Sequence, residues 1–234
     1  MPTKHRVFAA VLSLALLSGT VGGSLYAAAG SGFSDIASVE GKAKIEALRE
    51  QGVIKGVDGS RFQPDAALSS GQGIQLISEG FQFSLAAFLF IKAPLASDIF
   101  TRVPDKAWYA QAFLNVHYNE VNIPADIDPA APMTREMYIH LLDQAMQKAG
   151  GLPMVKLNPV GIADEDQLTP DYQGSVQRAI SRGVLTLDSD NNFRPQESVT
   201  RAEAAVMLYN ALDYLKQHPQ PDAGTVPEQG EQGV

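Results

Sequence analysis

Thr200-Arg201-Ala202-Glu203 is the segment of this chain whose residue types and spacing most clearly carry chemistry. A hydroxyl followed three positions later by a glutamate is a capping box, in which both side chains satisfy amides left free by a first helical turn. Arg201 lies between them, at a helix mouth where free amides and the positive dipole end favour an anion. A guanidinium there can hold a carboxylate through two parallel hydrogen bonds. The alternative is a solvated surface arginine. Two further segments stand in the same register. Thr134-Arg135-Glu136-Met137 keeps the arginine but has methionine at the capping position, and Ser69-Ser70-Gly71-Gln72 keeps a Ser and Gln capping pair but has serine in place of arginine. At most two of the three positions are equipped for an anion.

Other chemistry-bearing residues give weaker signals. Asp35, Asp105 and Asp164 occupy matching places before successive helices, where helix starts and turn capping explain them. Arg194 either lines a groove or braces its own loop. Asp188, Asp190 and Asn192 alternate like part of a calcium loop but lack the glycine and distal glutamate, so they read as a turn. His117 and His140 fall on separate helices without a spaced carboxylate partner, and no metal or cofactor site is expected. The sequence contains no H-E-x-x-H, G-x-S-x-G, S-x-x-K or phosphate-binding glycine loop.

The elements that must position these residues come in three copies. Phe33-Ser34-Asp35-Ile36 leads through Gly52-Val53-Ile54 to Phe62-Gln63-Pro64, and Ile162-Ala163-Asp164 leads through Gly183-Val184-Leu185 to Phe193-Arg194-Pro195. Between them, Val103-Pro104-Asp105 reaches Ile127-Asp128-Pro129 without an equivalent glycine. A hydroxyl residue stands at the same distance after each proline: Ser69, Thr134 and Thr200. Each copy predicts two helices joined by a turn-rich loop. Apolar stripes such as Tyr109, Ala112, Phe113 and Val116, or Ala205, Leu208, Tyr209, Leu212 and Leu215, are the faces by which copies pack on one another. The apolar stretch 81–91 is assigned to the same central bundle, although a partner-binding surface would read the same way.

The segment AISRGVLTLDSDNNFRPQESVTRAEAAVMLYNAL, residues 179–212, resembles the S-layer homology family, and the likeness extends over about residues 33–215. The resemblance implies an all-α fold of three helix-loop-helix repeats (33–98, 99–160 and 161–217), forming a pseudo-threefold unit around a central helical bundle. It implies noncatalytic binding of a secondary cell-wall polysaccharide, commonly bearing acidic pyruvate-ketal sugars, in grooves between repeats. Arg201 is then the leading contact and Arg135 the second, with Arg194 and Trp108 as further candidates. Thr200, Glu203, Thr134, Ser69 and Gln72 form the helix-cap scaffold. Trp108, the single tryptophan, can stack on a sugar face or serve as core packing. The alternative reading is a degenerate unit that serves as a scaffold for another surface protein. A wall-glycan enzyme using the acidic run Asp164-Glu165-Asp166 is a minor possibility.

Composition narrows the classes further. The chain has 234 residues, 45% of them hydrophobic, so it can bury a core, and its lack of cysteine removes disulfides and thiol chemistry. A net charge of -8 opposes general nucleic-acid binding. Lys4, His5 and Arg6 precede an apolar run at 7–17 and the small residues Ala27-Ala28-Ala29, which predicts a secretory signal peptide over 1–29 and a secreted, wall-associated protein. No stretch is long and apolar enough to predict a transmembrane anchor. Residues 218–234, rich in Pro, Gly and Gln, predict a disordered tail.

Overall fold

The computed structural model describes residues 32–152 and 158–219. The signal-peptide expectation for 1–29 and the tail from residue 220 onward lie outside the described residues. Within them the protein is helical, with no strand: α1 (Lys42–Glu50), α2 (Ser70–Gly80), α3 (Ala110–Tyr118), α4 (Arg135–Gly150), α5 (Gln173–Ser181) and α6 (Arg201–Gln217).

Local chemistry sets the boundaries of these helices. Ser69 accepts from Gln72 N–H while Gln72 accepts from Ser69 N–H, and Thr200 and Glu203 form the same reciprocal box at α6. Thr134 caps α4 through Met137 N–H alone. Gly52 and Gly183 end α1 and α5 in the left-handed conformation, at φ 76° and 67°. In the middle copy, which has no matching glycine, Glu120 takes that conformation after α3, at φ 63°. Its carboxylate pairs with Lys148 of α4.

α1 lies on α6, α3 on α2 and α5 on α4, while α2, α4 and α6 touch one another at the centre. Ile74 and Ile77 of α2, Tyr138, Leu141 and Leu142 of α4, and Ala204, Leu208 and Ala211 of α6 are fully buried there. Tyr138 Oη donates to Ala204 O at 2.9 Å, which satisfies the one polar atom that this ring brings into the core. A β-carbon on Gly80 would come within 2.7 Å of Leu208, so glycine sets how closely α2 approaches α6.

The segments leading into α2, α4 and α6 close a ring of backbone bonds. Leu68 N–H donates to Val199 O, Val199 N–H to Met133 O, and Met133 N–H to Leu68 O, all at 2.8–2.9 Å. The first helical residues continue the ring onto the preceding loops: Ser70 N–H to Ala131 O, Arg135 N–H to Glu197 O, and Arg201 N–H to Ala66 O. Free amides of each helix start are thus satisfied by another copy.

The stretch 81–91 does not join the central bundle. α2 stops at Gly80, Gln82 turns the chain at φ 54°, and Phe83 N–H returns to Ser78 O. Phe81, Phe83 and Leu85 still pack against the core, but Leu89 and Ile91 are fully exposed, and Phe88 and Phe90 lean on Tyr118.

Candidate functional site

The site is built on the loop that carries Phe62. The Asp35 carboxylate accepts from Phe62 N–H at 2.8 Å and from Gln63 N–H at 2.7 Å. This fixes Gln63 at φ 58°, a left-handed residue directly before a proline, where backbone conformation is restricted. Asp164 does the same for Phe193 and Arg194, at 2.8 and 2.7 Å, with Arg194 at φ 57°. Asp105 instead binds the amide and hydroxyl of Ser97. Of the two roles expected for them, Asp35 and Asp164 take turn capping rather than the capping of their own helix starts. The reason is geometric: two adjacent amides converge on one point when the residue before the proline turns left-handed, and a carboxylate has two oxygens to receive them.

The bound loop turns its Phe62 carbonyl toward α6. Arg201 Nε donates to that carbonyl at 2.8 Å, and its guanidinium carbon lies 4.9 Å from the Phe62 ring centroid. Among the described residues Arg201 has no carboxylate partner, since its remaining protein bond is a long one of 3.5 Å to Lys55 O. Burial pushes its guanidinium below the ordinary arginine value, and the charge of Asp35 opposes that shift. The outer edge of the guanidinium faces a cavity of about 600 Å³, formed by loop residues 52–57, by Gln72, Gln75 and Glu79 of α2, and by Trp108. Trp108 is 64% exposed, which removes the core-packing reading and leaves an indole edge at the rim of the cavity.

Arg135 sits in the same local frame with a different outcome. Its Nε donates to Phe193 O at 2.9 Å, and its guanidinium lies over the Phe193 ring. Its Nη1, however, is ion-paired with Glu203, and the side chain is only 10% exposed. Glu203 divides its carboxylate, one oxygen capping Thr200 N–H at 2.9 Å and the other holding Arg135. In the Arg201 frame the residue in the place of Glu203 is Gln72, which is neutral. Ser70, the third residue in this register, donates its hydroxyl to Ala131 O.

Arg194 is held away from the Arg201 cavity. It lies between Asp188, at 3.6 Å, and Glu197, at 3.7 Å, beside a smaller polar cavity of about 360 Å³. Glu136 next to Arg135 is buried, and its oxygens accept from Thr169 N–H, Thr169 Oγ1 and Gln196 Nε2. Sequence reasoning missed Phe62, Lys55, Gln75 and Glu79 as parts of the cavity. The repeated Phe-x-Pro motif was the available signal for Phe62, whereas the three others follow no pattern between copies. Among the described residues no three His, Asp or Glu side chains gather as a metal site, and no helix is long and apolar enough to cross a membrane.

The S-layer homology domain model matches residues 32–72 and 164–205, which hold the Asp35 and Asp164 loops and both complete capping boxes. The middle copy lies outside both matched stretches. Over 184 residues, 77% of the chain, the sequence is 24% identical to an amylopullulanase of Thermoanaerobacterium thermosulfurigenes. It is 23% identical over 77% of the chain to the exoglucanase XynX of Acetivibrio thermocellus. The match spans 9% and 16% of those two proteins, so what is similar to this chain is a small part of each.

Proposed function

We propose that this protein binds an acidic secondary cell-wall polysaccharide without catalysis and so attaches to the bacterial cell surface. The observation that carries the reading is Arg201. It is an arginine held rigidly by the Phe62 carbonyl and ring, lacking an ion pair among the described residues, with its open edge on a cavity rimmed by an exposed tryptophan. A sugar carboxylate supplies the missing charge partner, and the exposed indole supplies a surface for the sugar ring. The two S-layer homology matches, and relatives whose names denote polysaccharide-degrading enzymes, support attachment through a part distinct from any catalytic unit. The closed ring of bonds among the three helix starts supports a pseudo-threefold arrangement of helix-loop-helix repeats. In this reading Arg201 and Trp108 touch the glycan, while Arg135 and Arg194 belong to the scaffold.

Sedimentation with native cell walls tests the proposal. The protein is expected to co-sediment with native walls and to stay in solution with walls stripped of secondary polysaccharide. Loss of a charge-assisted, paired contact costs about 1.5–3 kcal/mol, so Arg201→Ala should weaken retention by roughly 10- to 150-fold. Arg201→Lys keeps the charge without the planar fork and should fall between, while Ser70→Ala should retain wild-type binding. Equal sedimentation with stripped walls removes the proposal. A second reading, a scaffold for another surface protein, is favoured by the exposed apolar loop at 88–91. It predicts that loop substitutions, rather than Arg201→Ala, abolish attachment.

A further inference from the structure

Two arginines occupy one local frame, and a single position separates their fates. Arg135 and Arg201 each open a helix, each donate Nε to the carbonyl of a phenylalanine in a Phe-x-Pro loop, and each lie over that phenylalanine ring. In the first frame the third residue of the adjoining long helix is Glu203, whose second oxygen neutralises Arg135. In the second frame the corresponding residue is Gln72, which lines the same cavity as Arg201. Gln72 performs the capping task that Glu203 performs, accepting from Ser69 N–H at 3.0 Å. Its remaining polar atom is an amide nitrogen, a donor that cannot pair a guanidinium.

We propose that Gln72 is the residue that keeps Arg201 available to an anion, and that of the two arginine frames only this one binds an anion. A glutamate at position 72 would preserve the capping box and convert the Arg201 frame into the self-neutralised Arg135 frame. The third frame has Ser70 in place of arginine, and the Ser70 hydroxyl donates to Ala131 O. This inference rests on the proposed glycan reading for its biological meaning, but its electrostatic content is measurable without any glycan. Trp108 is the only tryptophan and lines the cavity, so quenching of its fluorescence by iodide reports the anion potential beside Arg201.

The experiment compares wild type, Gln72→Glu and Gln75→Glu at neutral pH and low salt, with thermal unfolding followed for each. Gln75→Glu adds the same charge to the same cavity from a position one turn further along α2. Gln72→Glu should melt at or above the wild-type temperature, because the box is retained. It should lower the iodide quenching constant roughly twofold or more, leave quenching by neutral acrylamide unchanged, and reduce native-wall retention about tenfold or more. Gln75→Glu should produce less than half of each effect. Wild-type quenching and retention in Gln72→Glu overturn the inference, as do equal losses in both variants, which would reflect added charge alone. If wild type does not sediment with walls while Gln72→Glu still suppresses iodide quenching, the glycan reading falls and the assignment of Gln72 stands.

Discussion

Asp35→Ala is the substitution that connects the local backbone to the site. It removes the carboxylate that receives Phe62 N–H and Gln63 N–H, at 2.8 and 2.7 Å. Bonds to a charged group contribute about 1.5–3 kcal/mol each when buried, and Asp35 is only half-buried, so about 2 kcal/mol is expected for the pair. For a unit of this size that corresponds to a fall of roughly 4–8 °C in Tm. Asp164 makes the same two bonds at 7% exposure, and Asp164→Ala should cost more, about 3–5 kcal/mol. The two variants differ in function. The Phe62 carbonyl holds Arg201, so Asp35→Ala should also loosen wall retention, whereas Asp164 orders the Arg135 frame and its variant should bind as long as it is folded.

Acidification tests the same contact. Burial by itself would push the Asp35 carboxyl up, but the Phe62 and Gln63 amides outweigh it and hold the carboxyl below its ordinary 3.8. A carboxyl lowered on folding stabilises the protein fully above the unfolded value, and that contribution is lost as pH falls through the folded value. Stability should therefore decline as pH drops below about 4, and Asp35→Ala should flatten that decline. Urea and thermal unfolding followed by far-UV circular dichroism measure both effects. If Asp35→Ala and Asp164→Ala each change stability by less than about 0.5 kcal/mol, the loop-holding role assigned to these aspartates is refuted.

Asp143 is buried in α4 and receives Arg178, Arg182 and Gln147, with the Arg182 side chain only 6% exposed. Asp143→Asn leaves two cations facing a neutral group and should cost about 3–5 kcal/mol by urea unfolding; a cost under about 1 kcal/mol would count against the network. Leu89→Ser with Ile91→Ser, at fully exposed positions, should change stability by less than about 0.5 kcal/mol and leave wall retention at the wild-type level. Lost retention in that double variant would transfer the binding function to the 88–91 loop.

The capping residues were legible because capping is local. Ser69 with Gln72, and Thr200 with Glu203, lie three residues apart, and the first turn of a helix is the only partner they need. The glycines that stop α1 and α5 are equally local. The partners of the aspartates were not legible, since Asp35 meets Phe62 and Gln63 only after α1 has folded back the intervening chain. The stretch 81–91 was misplaced because hydrophobicity marks a segment as apolar without saying whether space remains for it. The chain instead turns at Gln82 and leaves Leu89 and Ile91 fully exposed.

What the sequence by itself determined is the local part: helices, caps, and an arginine at the start of α4 and of α6, all of which depend on residues a few positions apart. Only the tertiary structure decided which of these two arginines lacks an ion pair among the described residues. Arg135 meets Glu203 across 68 positions, and Arg201 meets the Phe62 loop across 139. An ion pair depends on separation in space, and the packing of each helix start against a loop distant in sequence sets that separation after every local choice has been made.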